Sequence, residues 1–452
     1  MKLFKYMMVG AIAALGFAPS AYAFHSGGVG ECEGCHSMHN SFEGKAAVTG
    51  MTQFSSGPFL LKASDQSGTC LNCHEASTAD TAPTGYHIST KGANSGPTAT
   101  LDNPPVEQTP GGDFAWLKMT RTGLIRNTPT TWVGERQGHN IVAADFGYVK
   151  DSTQTVAPGG SYPSASLACS SCHDPHGKYR RMADGSVGTS GAPILNSGSY
   201  ISSLLPVGTA SAVGVYRLLG GVGYQPKSLS GSFAFTAASP DALSPGSYNG
   251  VNITVAGASA LLASDRVAYG RGMSEWCSNC HAKMHADAYT SGTKGLVHPA
   301  GNGAKLTAAI VANYNAYVSS GIAGTPALAG YSALAPYEVG MATSSTADYS
   351  LLKSFQAAPV AAAVTNNVAC ISCHRAHASA FESSTRYYLG NEFMTVATAP
   401  LSGVAAYDNT VTENKINTAY SVLAQTNGYN GRPATEFGQY ARNYCNKCHA
   451  KD

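Results

Sequence analysis

The chain has 452 residues, of which only 12% are charged and 50 are glycine. Lysine and arginine number 28 against 26 aspartate and glutamate residues, so the sequence lacks the basic field that nucleic-acid binding requires. The length alone would suggest two or three domains, but long stretches of Gly, Ser, Thr and Ala offer little material for a side-chain core.

The first 23 residues predict a secretory signal peptide. Lys2 and Lys5 precede a short apolar run, and a small-residue cleavage pattern ends at Ala23. Removal of these two lysines leaves 26 basic and 26 acidic residues, so the exported chain over 24–452 is neutral in formal charge and suited to assembly. No later segment reaches the roughly 18 apolar residues of a membrane helix, so we expect no membrane insertion.

All 12 cysteines fall in six C-x-x-C-H units, which we number one to six along the chain. In such a unit the two thiols attach to a haem and the histidine binds its iron. A zinc site or a redox-active dithiol would not require a histidine after every second cysteine. We therefore predict six haem c groups. Their covalent attachment uses Cys32, Cys35, Cys70, Cys73, Cys169, Cys172, Cys277, Cys280, Cys370, Cys373, Cys445 and Cys448, and their proximal iron ligands are His36, His74, His173, His281, His374 and His449.

Eight further histidines are candidates for the distal position on each iron. Three of them follow a proximal histidine by three residues, which is about one helical turn, so each reaches a neighbouring haem more easily than its own. Three more stand in the spacers between units, where a loop can carry them over an iron. The predicted distal ligands are His39, His176, His377, His87, His139 and His298, with His25 and His285 in reserve.

A histidine three residues after the proximal one occurs only in units one, three and five. This alternation predicts an internal repeat of three haem pairs, around residues 32–74, 169–281 and 370–449, within one hexahaem domain. Two imidazoles on each iron leave no open position for substrate chemistry. The pattern therefore predicts electron transfer without catalysis.

The spacers are rich in Gly, Pro and Ser and predict turns and loops. Residues 306–320 predict a helix with Ile310, Tyr314, Tyr317 and Val318 on one face, and Asp-Gly at 184–185 predicts a hairpin. Each C-x-x-C-H unit should open or close a short helical turn. The predicted fold class is a multihaem c-type cytochrome, mostly loop and coil with short helices and very little strand, whose core is built around stacked haems.

A resemblance to a known family is carried by FHSGGVGECEGCHSMHNS, CSSCHDPHGKYRR, GYQPKSLSGS, GMSEWCSNCH, HPAGNGAK, CHRAHAS and the terminal CNKCHAKD. The chain resembles the outer-surface hexahaem cytochromes of Geobacter-type metal-reducing bacteria from its mature N-terminus to its last residue. The spacers around 321–365 and 396–435 differ from that family.

The resemblance implies that identical subunits polymerise into an extracellular filament with a continuous haem stack. Such a filament takes electrons from periplasmic and outer-membrane cytochromes and delivers them to extracellular acceptors such as metal oxides. The resemblance further implies that His39 ligates the fifth haem of a neighbouring subunit, which the unit at 370–374 holds.

Two other functions remain open on the sequence. A monomeric periplasmic or surface shuttle would share the chemistry of the filament subunit without its assembly. A multihaem reductase would need one iron with an open or weakly held sixth position, often marked by a unit that ends in lysine. All six units here end in histidine.

Overall fold

The computed structural model describes most of the mature chain, including all six C-x-x-C-H units and seven of the eight further histidines. The predicted signal peptide over 1–23 and the reserve ligand His25 lie outside the described residues. Those residues are 32–42, 45–46, 60–79, 82–83, 85–91, 104–125, 128–177, 179–189, 194–197, 203–208, 210–245, 267–285, 298–317, 331–343, 345–357, 361–398, 403–408 and 422–449.

Helices in the described residues are short, and one accompanies each C-x-x-C-H unit. The α-helices are α1 Cys32–Cys35, α2 Gln66–His74, α3 Met273–Cys277, α4 Ala308–Ala316, α5 Thr346–Ala357, α6 Val422–Gly428 and α7 Ala434–Phe437. Units three, five and six instead carry 3-10 turns at Cys169–Ser171, Cys370–Ser372 and Tyr444–Lys447. The predicted helical turn at every unit is therefore confirmed.

Further 3-10 turns punctuate the spacers. They lie at Phe114–Lys118, Gly134–Gln137, Ala144–Phe146, Ser164–Ser166, Lys227–Leu229 and Ala282–Met284, with two irregular turns at Tyr216–Leu218 and Glu382–Ser384. The two irregular turns contain residues with left-handed backbone angles, and both lie opposite a haem-binding unit.

Strands are two to five residues long. They are β1 Ser41–Phe42, β2 Lys45–Ala46, β3 Glu75–Ala79, β4 Ser89–Lys91, β5 Arg121–Ile125, β6 Thr128–Trp132, β7 Arg180–Arg181, β8 Val187–Gly188, β9 Ile194–Ser197, β10 Ala212–Gly214, β11 Asp241–Leu243, β12 Ala268–Arg271, β13 Thr395–Ala397 and β14 Ala405–Tyr407. Four of them form a sheet in the order β8-β7-β10-β9, and the others pair in twos. The pairs β3-β4 and β9-β10 are parallel, and the rest are antiparallel.

Two local predictions from the sequence are confirmed. The hairpin forms between β7 and β8, where Gly185 adopts a left-handed φ of 83° and the Asp184 carboxylate accepts the Ser186 N–H at 2.9 Å. The helix predicted over 306–320 is α4, which Thr307 caps by accepting the Ile310 N–H at 3.2 Å. Tyr314 on α4 is buried, as its helical spacing predicted.

Tyrosine supplies much of the side-chain core. The rings of Tyr314, Tyr331, Tyr337 and Phe355 pack edge to face, with centroids 5.3 to 5.8 Å apart. A second group joins the C-terminal elements, and its members are Tyr387, Tyr407, Tyr429, Phe437 and Tyr444. Some of the buried hydroxyls donate to backbone carbonyls; Tyr314, for example, donates to the Ala335 carbonyl at 2.8 Å.

In the ranges given above, no helix is both long enough and apolar enough to cross a membrane.

Candidate haem sites

Unit three shows how the chain holds an odd-numbered site. The Cys169–Ser171 turn begins with the Ala168 N–H donating to the Ser171 hydroxyl at 2.8 Å. The Nδ1 of His173 lies 2.7 Å from the Arg217 carbonyl oxygen. The next N–H along the chain, that of Asp174, donates to the Leu218 carbonyl at 2.7 Å. This return segment therefore fixes both the ring and the backbone of the proximal histidine.

Unit five repeats the same contacts. The His374 Nδ1 lies 2.7 Å from the Ser383 carbonyl oxygen, and the Arg375 N–H donates to the Ser384 carbonyl at 2.7 Å. A third hydrogen bond joins the return segment to the unit, in which the Arg386 N–H donates to the Cys373 carbonyl at 2.7 Å. We call this set of three contacts the clasp.

The clasp depends on left-handed backbone angles at residues other than glycine. In unit three these are Arg217 and Leu218, with φ of 46° and 53°, and in unit five Ser383 and Ser384, with φ of 57° and 54°. Such angles cost roughly 1–2 kcal/mol per residue, so they persist only where the surrounding contacts enforce them. Unit one shows two of the three contacts around Leu60, whose φ is 62°.

Helices at units two and four support the units that follow them. Ser67 on α2 accepts the Cys169 N–H at 3.2 Å, and Ser274 on α3 accepts the Cys370 N–H at 3.0 Å. The even-numbered units thus cap the start of the next odd-numbered turn. A serine accepts the first N–H of the odd-numbered unit at each of the two junctions, so the two junctions are structural repeats.

The cysteine thiols lie in chain order from unit one to unit six. The thiols of Cys70 and Cys169 are neighbours where units two and three meet, and those of Cys277 and Cys370 are neighbours where units four and five meet. At the other three junctions the thiols are electrostatic neighbours. These neighbours are Cys35 with Cys73, Cys172 with Cys280, and Cys373 with Cys445 and Cys448.

Four predicted proximal histidines face a predicted distal histidine. A metal about 2.0 Å from one nitrogen of each of two opposed imidazoles separates the ring centroids by roughly 6 Å. The observed centroid separations are 6.5 Å for His36 and His176, 6.4 Å for His173 and His377, 5.9 Å for His281 and His139, and 5.9 Å for His449 and His298. Each separation fits two imidazoles on one iron.

Backbone carbonyls orient these rings. The Nδ1 atoms of His139, His281 and His298 lie 2.6 to 2.8 Å from the carbonyl oxygens of Ala376, Pro158 and Pro299. An Nδ1–H that donates to a carbonyl fixes the tautomer and leaves Nε2 free for a metal, which is the usual second-shell arrangement of a metal-bound histidine. The chemistry of the donor set therefore fits haem iron.

The protonation state of the distal rings also suits a metal. Desolvation, followed by the facing imidazole, lowers the pKa of His377 to about 3 and that of His139 to about 4. Both rings are therefore neutral at physiological pH, which is the metal-binding form of imidazole.

His377 sits in a slot that the sequence did not reveal. Its ring stacks on Phe114 with centroids 4.6 Å apart, and a Cβ added at Gly111 would lie 2.7 Å from its Nδ1. A Cβ added at Gly138 would lie 2.3 Å from the His377 carbonyl oxygen. Glycine is required at both places because a side chain would displace the ligand.

The other spare histidines have different surroundings. His87 contacts the Tyr86 ring, which in turn packs edge-on against His74 of unit two. His39 is exposed, beside Met38 at 73% exposure. His285, a reserve candidate, lies 3.6 Å from the Glu275 carboxylate.

Two buried ionisable side chains near the units were also missed by sequence reasoning. Glu338 is fully buried and accepts the Met273 N–H, at the start of α3, at 2.8 Å. Burial raises its pKa to about 7. Lys447 lies between the two cysteines of unit six and is fully buried, and burial lowers the pKa of its ammonium to about 8.

The C-x-x-C-H units lie in a continuous row, pairs of histidine rings face each other, and the fold is dominated by loops. Together these features define a multihaem c-type cytochrome. No family model matches the chain. The c-type cytochrome OmcS of Geobacter sulfurreducens is 51% identical over 451 residues, which cover 99% of this chain and 98% of OmcS. This chain belongs to the OmcS family of c-type cytochromes, proteins that carry haem c and its iron.

Solved structures agree with that assignment. The cryo-EM structure of OmcS nanowires from Geobacter sulfurreducens matches with a TM-score of 0.82 at 50% identity, and it covers 95% of this chain and 100% of that chain. The outer membrane cytochrome S filament from the same organism matches with a TM-score of 0.80 at 50% identity and the same coverage. The predicted multihaem, loop-rich fold class is therefore confirmed.

Proposed function

We propose that this protein is a non-enzymatic electron-transfer subunit of an extracellular filament, with six haem c groups that each have two histidine ligands. Haem iron supplies reversible one-electron chemistry when bound. The protein's own residues hold the haems in a fixed row and keep a histidine on each face of the iron. We infer that electrons pass along this row from unit to unit.

The proposal rests on one regularity in the distal ligands. His176, which belongs to unit three, faces the proximal His36 of unit one, and His377, which belongs to unit five, faces the proximal His173 of unit three. In this scheme the irons of units one and three each take their distal ligand from the next odd-numbered unit.

This rule leaves one iron without a distal ligand, that of unit five, and one candidate ligand without an iron, His39 of unit one. Unit five has no following odd unit, and within the described residues no histidine ring faces His374. His39 of unit one is exposed and faces no other ring in the same part of the chain. A second copy of the chain, placed one repeat further on, would bring its His39 to His374 and continue the same pattern.

The even-numbered irons follow a separate rule, since spacer histidines supply their distal ligands. His139 serves unit four and His298 serves unit six. We assign His87 to unit two, because the Tyr86 ring places it beside His74. The reserve candidates His25 and His285 have no place in this scheme.

The division of 24–452 into three haem pairs stays a prediction, and the thiol neighbours at all five junctions favour one continuous row. We place the protein at the cell surface, because the filament of its relative is described as an outer membrane cytochrome. Its partners would be identical subunits, periplasmic and outer-membrane cytochromes that donate electrons, and extracellular acceptors such as metal oxides.

The test is a His39→Ala variant of the secreted holoprotein. We expect no filaments by negative-stain electron microscopy, and we expect one haem in six to bind carbon monoxide, because the unit-five iron loses its distal ligand. Met38→Ala, at the adjacent exposed position, is the matched control and should assemble normally. Filaments of normal length from His39→Ala, with all six haems closed to carbon monoxide, would contradict the proposal.

Mass spectrometry of the secreted product tests the haem count independently. Six added haem masses are expected. A wild-type protein that stays monomeric with all six haems closed would instead identify a shuttle.

A further inference from the structure

Unit three ends in a tight turn that begins with an aspartate. Residues 174–177 read Asp-Pro-His-Gly, an order of residue types that is typical of a type I turn. The Gly177 N–H donates to the Asp174 carbonyl at 3.0 Å, and the His176 N–H donates to the Asp174 carboxylate at 3.1 Å. Of the three odd-numbered units, only unit three has an acidic residue directly after its proximal histidine.

The Asp174 carboxylate is buried beside the imidazole ring of His176. Its Oδ1 atom lies 3.9 Å from the His176 Nδ1, and the aspartate is 3% exposed. Its Oδ2 atom is buried and has no hydrogen-bond partner in the described part of the chain. In the same residues, His176 is the one basic side chain within ion-pair distance of this carboxylate. The turn therefore places a negative charge next to a predicted distal ligand.

The predicted distal ligands of units three, four and six have different neighbours. The Nδ1 atoms of His139 and His298 lie 2.6 and 2.8 Å from backbone carbonyl oxygens. The His377 ring stacks on Phe114. Within the described residues, the histidines that pair with a carboxylate are His176 and the reserve candidate His285. A carboxylate therefore distinguishes the unit-one ligand from these three.

The angle between facing rings also distinguishes unit one. The planes of His36 and His176 are nearly parallel, with 5° between them. The corresponding angle is 62° at unit three, 53° at unit four and 75° at unit six. Because Asp174 contacts both the ring and the backbone N–H of His176, it restrains the rotation of that ring.

We propose that Asp174 is a positioning residue, which holds His176 over the unit-one iron and makes that haem harder to reduce than the unit-three haem. This proposal rests on the proposed function. A carboxylate beside the Nδ1 of a metal-bound histidine fixes the ring and makes the imidazole a stronger donor. A stronger donor and a nearby negative charge both favour iron(III) over iron(II).

The same carboxylate acts less directly on the unit-three haem. Asp174 follows the proximal His173 in the chain, but the His173 Nδ1 lies 2.7 Å from the Arg217 carbonyl oxygen. The ligand that Asp174 contacts through its ring nitrogen is His176. Asp174 therefore acts on the unit-one iron through a ligand as well as through space, and on the unit-three iron through space.

The test is a redox titration of the purified holoprotein followed by EPR, in which reduced mediator dyes supply one electron to each iron(III). The EPR signal of an oxidised haem with two imidazoles depends on the angle between the ring planes, so the signals of units one and three should differ. His176→Ala and His377→Ala assign the two signals, because each variant removes the low-spin signal of one haem.

At a fixed ambient potential, we expect the reduced-to-oxidised ratio in the wild type to be roughly tenfold lower at unit one than at unit three. Asp174→Asn removes the charge and keeps an acceptor for the His176 N–H. It should raise the unit-one ratio by roughly tenfold and the unit-three ratio by less. Asp174→Glu keeps the charge, and Glu33→Gln changes an exposed carboxylate of unit one as the matched control. Both should leave the unit-one ratio within about twofold.

An unchanged unit-one ratio in Asp174→Asn, or an equal rise in Asp174→Glu or Glu33→Gln, would overturn the proposal. If Asp174→Asn is not secreted with six haems, the wild-type comparison decides, and a unit-one ratio equal to or above that of unit three would overturn the proposal. Failure of the proposed function would look different, since His176→Ala would then leave every haem signal unchanged or the unmodified protein would lack six haem masses.

Discussion

Units three and five are nearly the same structure and yet differ in how they are completed. Both start with a 3-10 turn capped by a serine from the preceding helix, and both are closed by a clasp on left-handed residues. His173 of unit three faces His377 of the same chain, whereas in the described residues His374 of unit five faces no histidine.

This difference separates what the local sequence determines from what the assembly determines. The turn and the predicted proximal ligand arise within short stretches of chain. In the two odd-numbered units whose proximal histidine faces another histidine, units one and three, the facing ring belongs to the next odd-numbered unit. No odd-numbered unit follows unit five, so under the proposed function its completion depends on the assembly.

The largest expected effect comes from His377→Ala, which should make unit three resemble an unassembled unit five. The unit-three iron would lose its distal ligand in every state of the protein, because that ligand is intramolecular. Carbon monoxide should then bind one haem in six both in dispersed subunits and in filaments.

His285→Ala serves as the control, since the His285 imidazole lies 3.6 Å from the Glu275 carboxylate. It should leave all six haems closed in the filament. If His377→Ala filaments excluded carbon monoxide, the intramolecular pairing of His173 and His377 would be wrong.

A second test concerns α3, the helix that caps unit five. It asks whether a buried carboxyl group at the start of α3 makes the stability of the protein depend on pH. At α3 the buried Glu338 accepts the Met273 N–H, and burial raises its pKa from 4.5 to about 7. The folded state then binds more protons than the unfolded state between these values, so this group lowers stability as pH rises from 4.5 to 7.

Glu338→Gln should remove that loss, which amounts to about 3 kcal/mol above pH 7. Chemical denaturation of the holoprotein gives the free energy of unfolding of the variant and of the wild type at about pH 5 and at about pH 8. The difference between the two proteins should change from one pH to the other. Glu33→Gln, at an exposed carboxylate, is the control. If the difference in unfolding free energy between variant and wild type is equal at both pH values, Glu338 does not cause a pH dependence of stability.

A smaller and matched pair of effects is expected from the capping serines. Ser67→Ala and Ser274→Ala each delete one hydrogen bond to the first N–H of an odd-numbered unit, so each should cost about 1 kcal/mol of unfolding free energy. The double variant should lose the sum, because the two sites share no contact. Markedly unequal losses would show that the two junctions are not equivalent.

The smallest expected effect is a gain. Ser383 holds a left-handed φ of 57° and is exposed, so Ser383→Gly should relieve backbone strain and raise stability by roughly 1 kcal/mol. Ser383→Ala keeps the strained angle and should give no gain. Thermal unfolding followed by Soret absorbance compares the two variants, and a loss of stability in the glycine variant would show that the clasp needs the serine itself.

Features with local chemical signatures were predictable from the sequence. Six C-x-x-C-H units specify attachment because the spacing of two thiols and a histidine is fixed by the haem. The Asp184–Gly185 hairpin and α4 followed from turn chemistry and helical periodicity. In each case the residues that determine the feature are close together in the chain.

Long-range features carried no such signature. The clasp brings Arg217 and Leu218 to a unit more than 40 residues earlier, and it uses left-handed residues that are not glycine. The slot around His377 brings together Gly111 and Phe114, over 260 positions away. The alternation of His39, His176 and His377 indicated bridging, but it did not indicate the direction in which each bridge runs.

The positions of the ligands along the chain set an order of maturation. An exported chain emerges from its N-terminus, and His36 of unit one must wait for His176, which is 140 residues further on. Unit four is the reverse case, because His139 precedes His281 by 142 residues and is already present when that haem is attached. If the proposed ligand scheme holds, we expect newly made subunits to close the irons of units four and six early and the irons of units one and three later, with the iron at His374 closed last, when another subunit arrives.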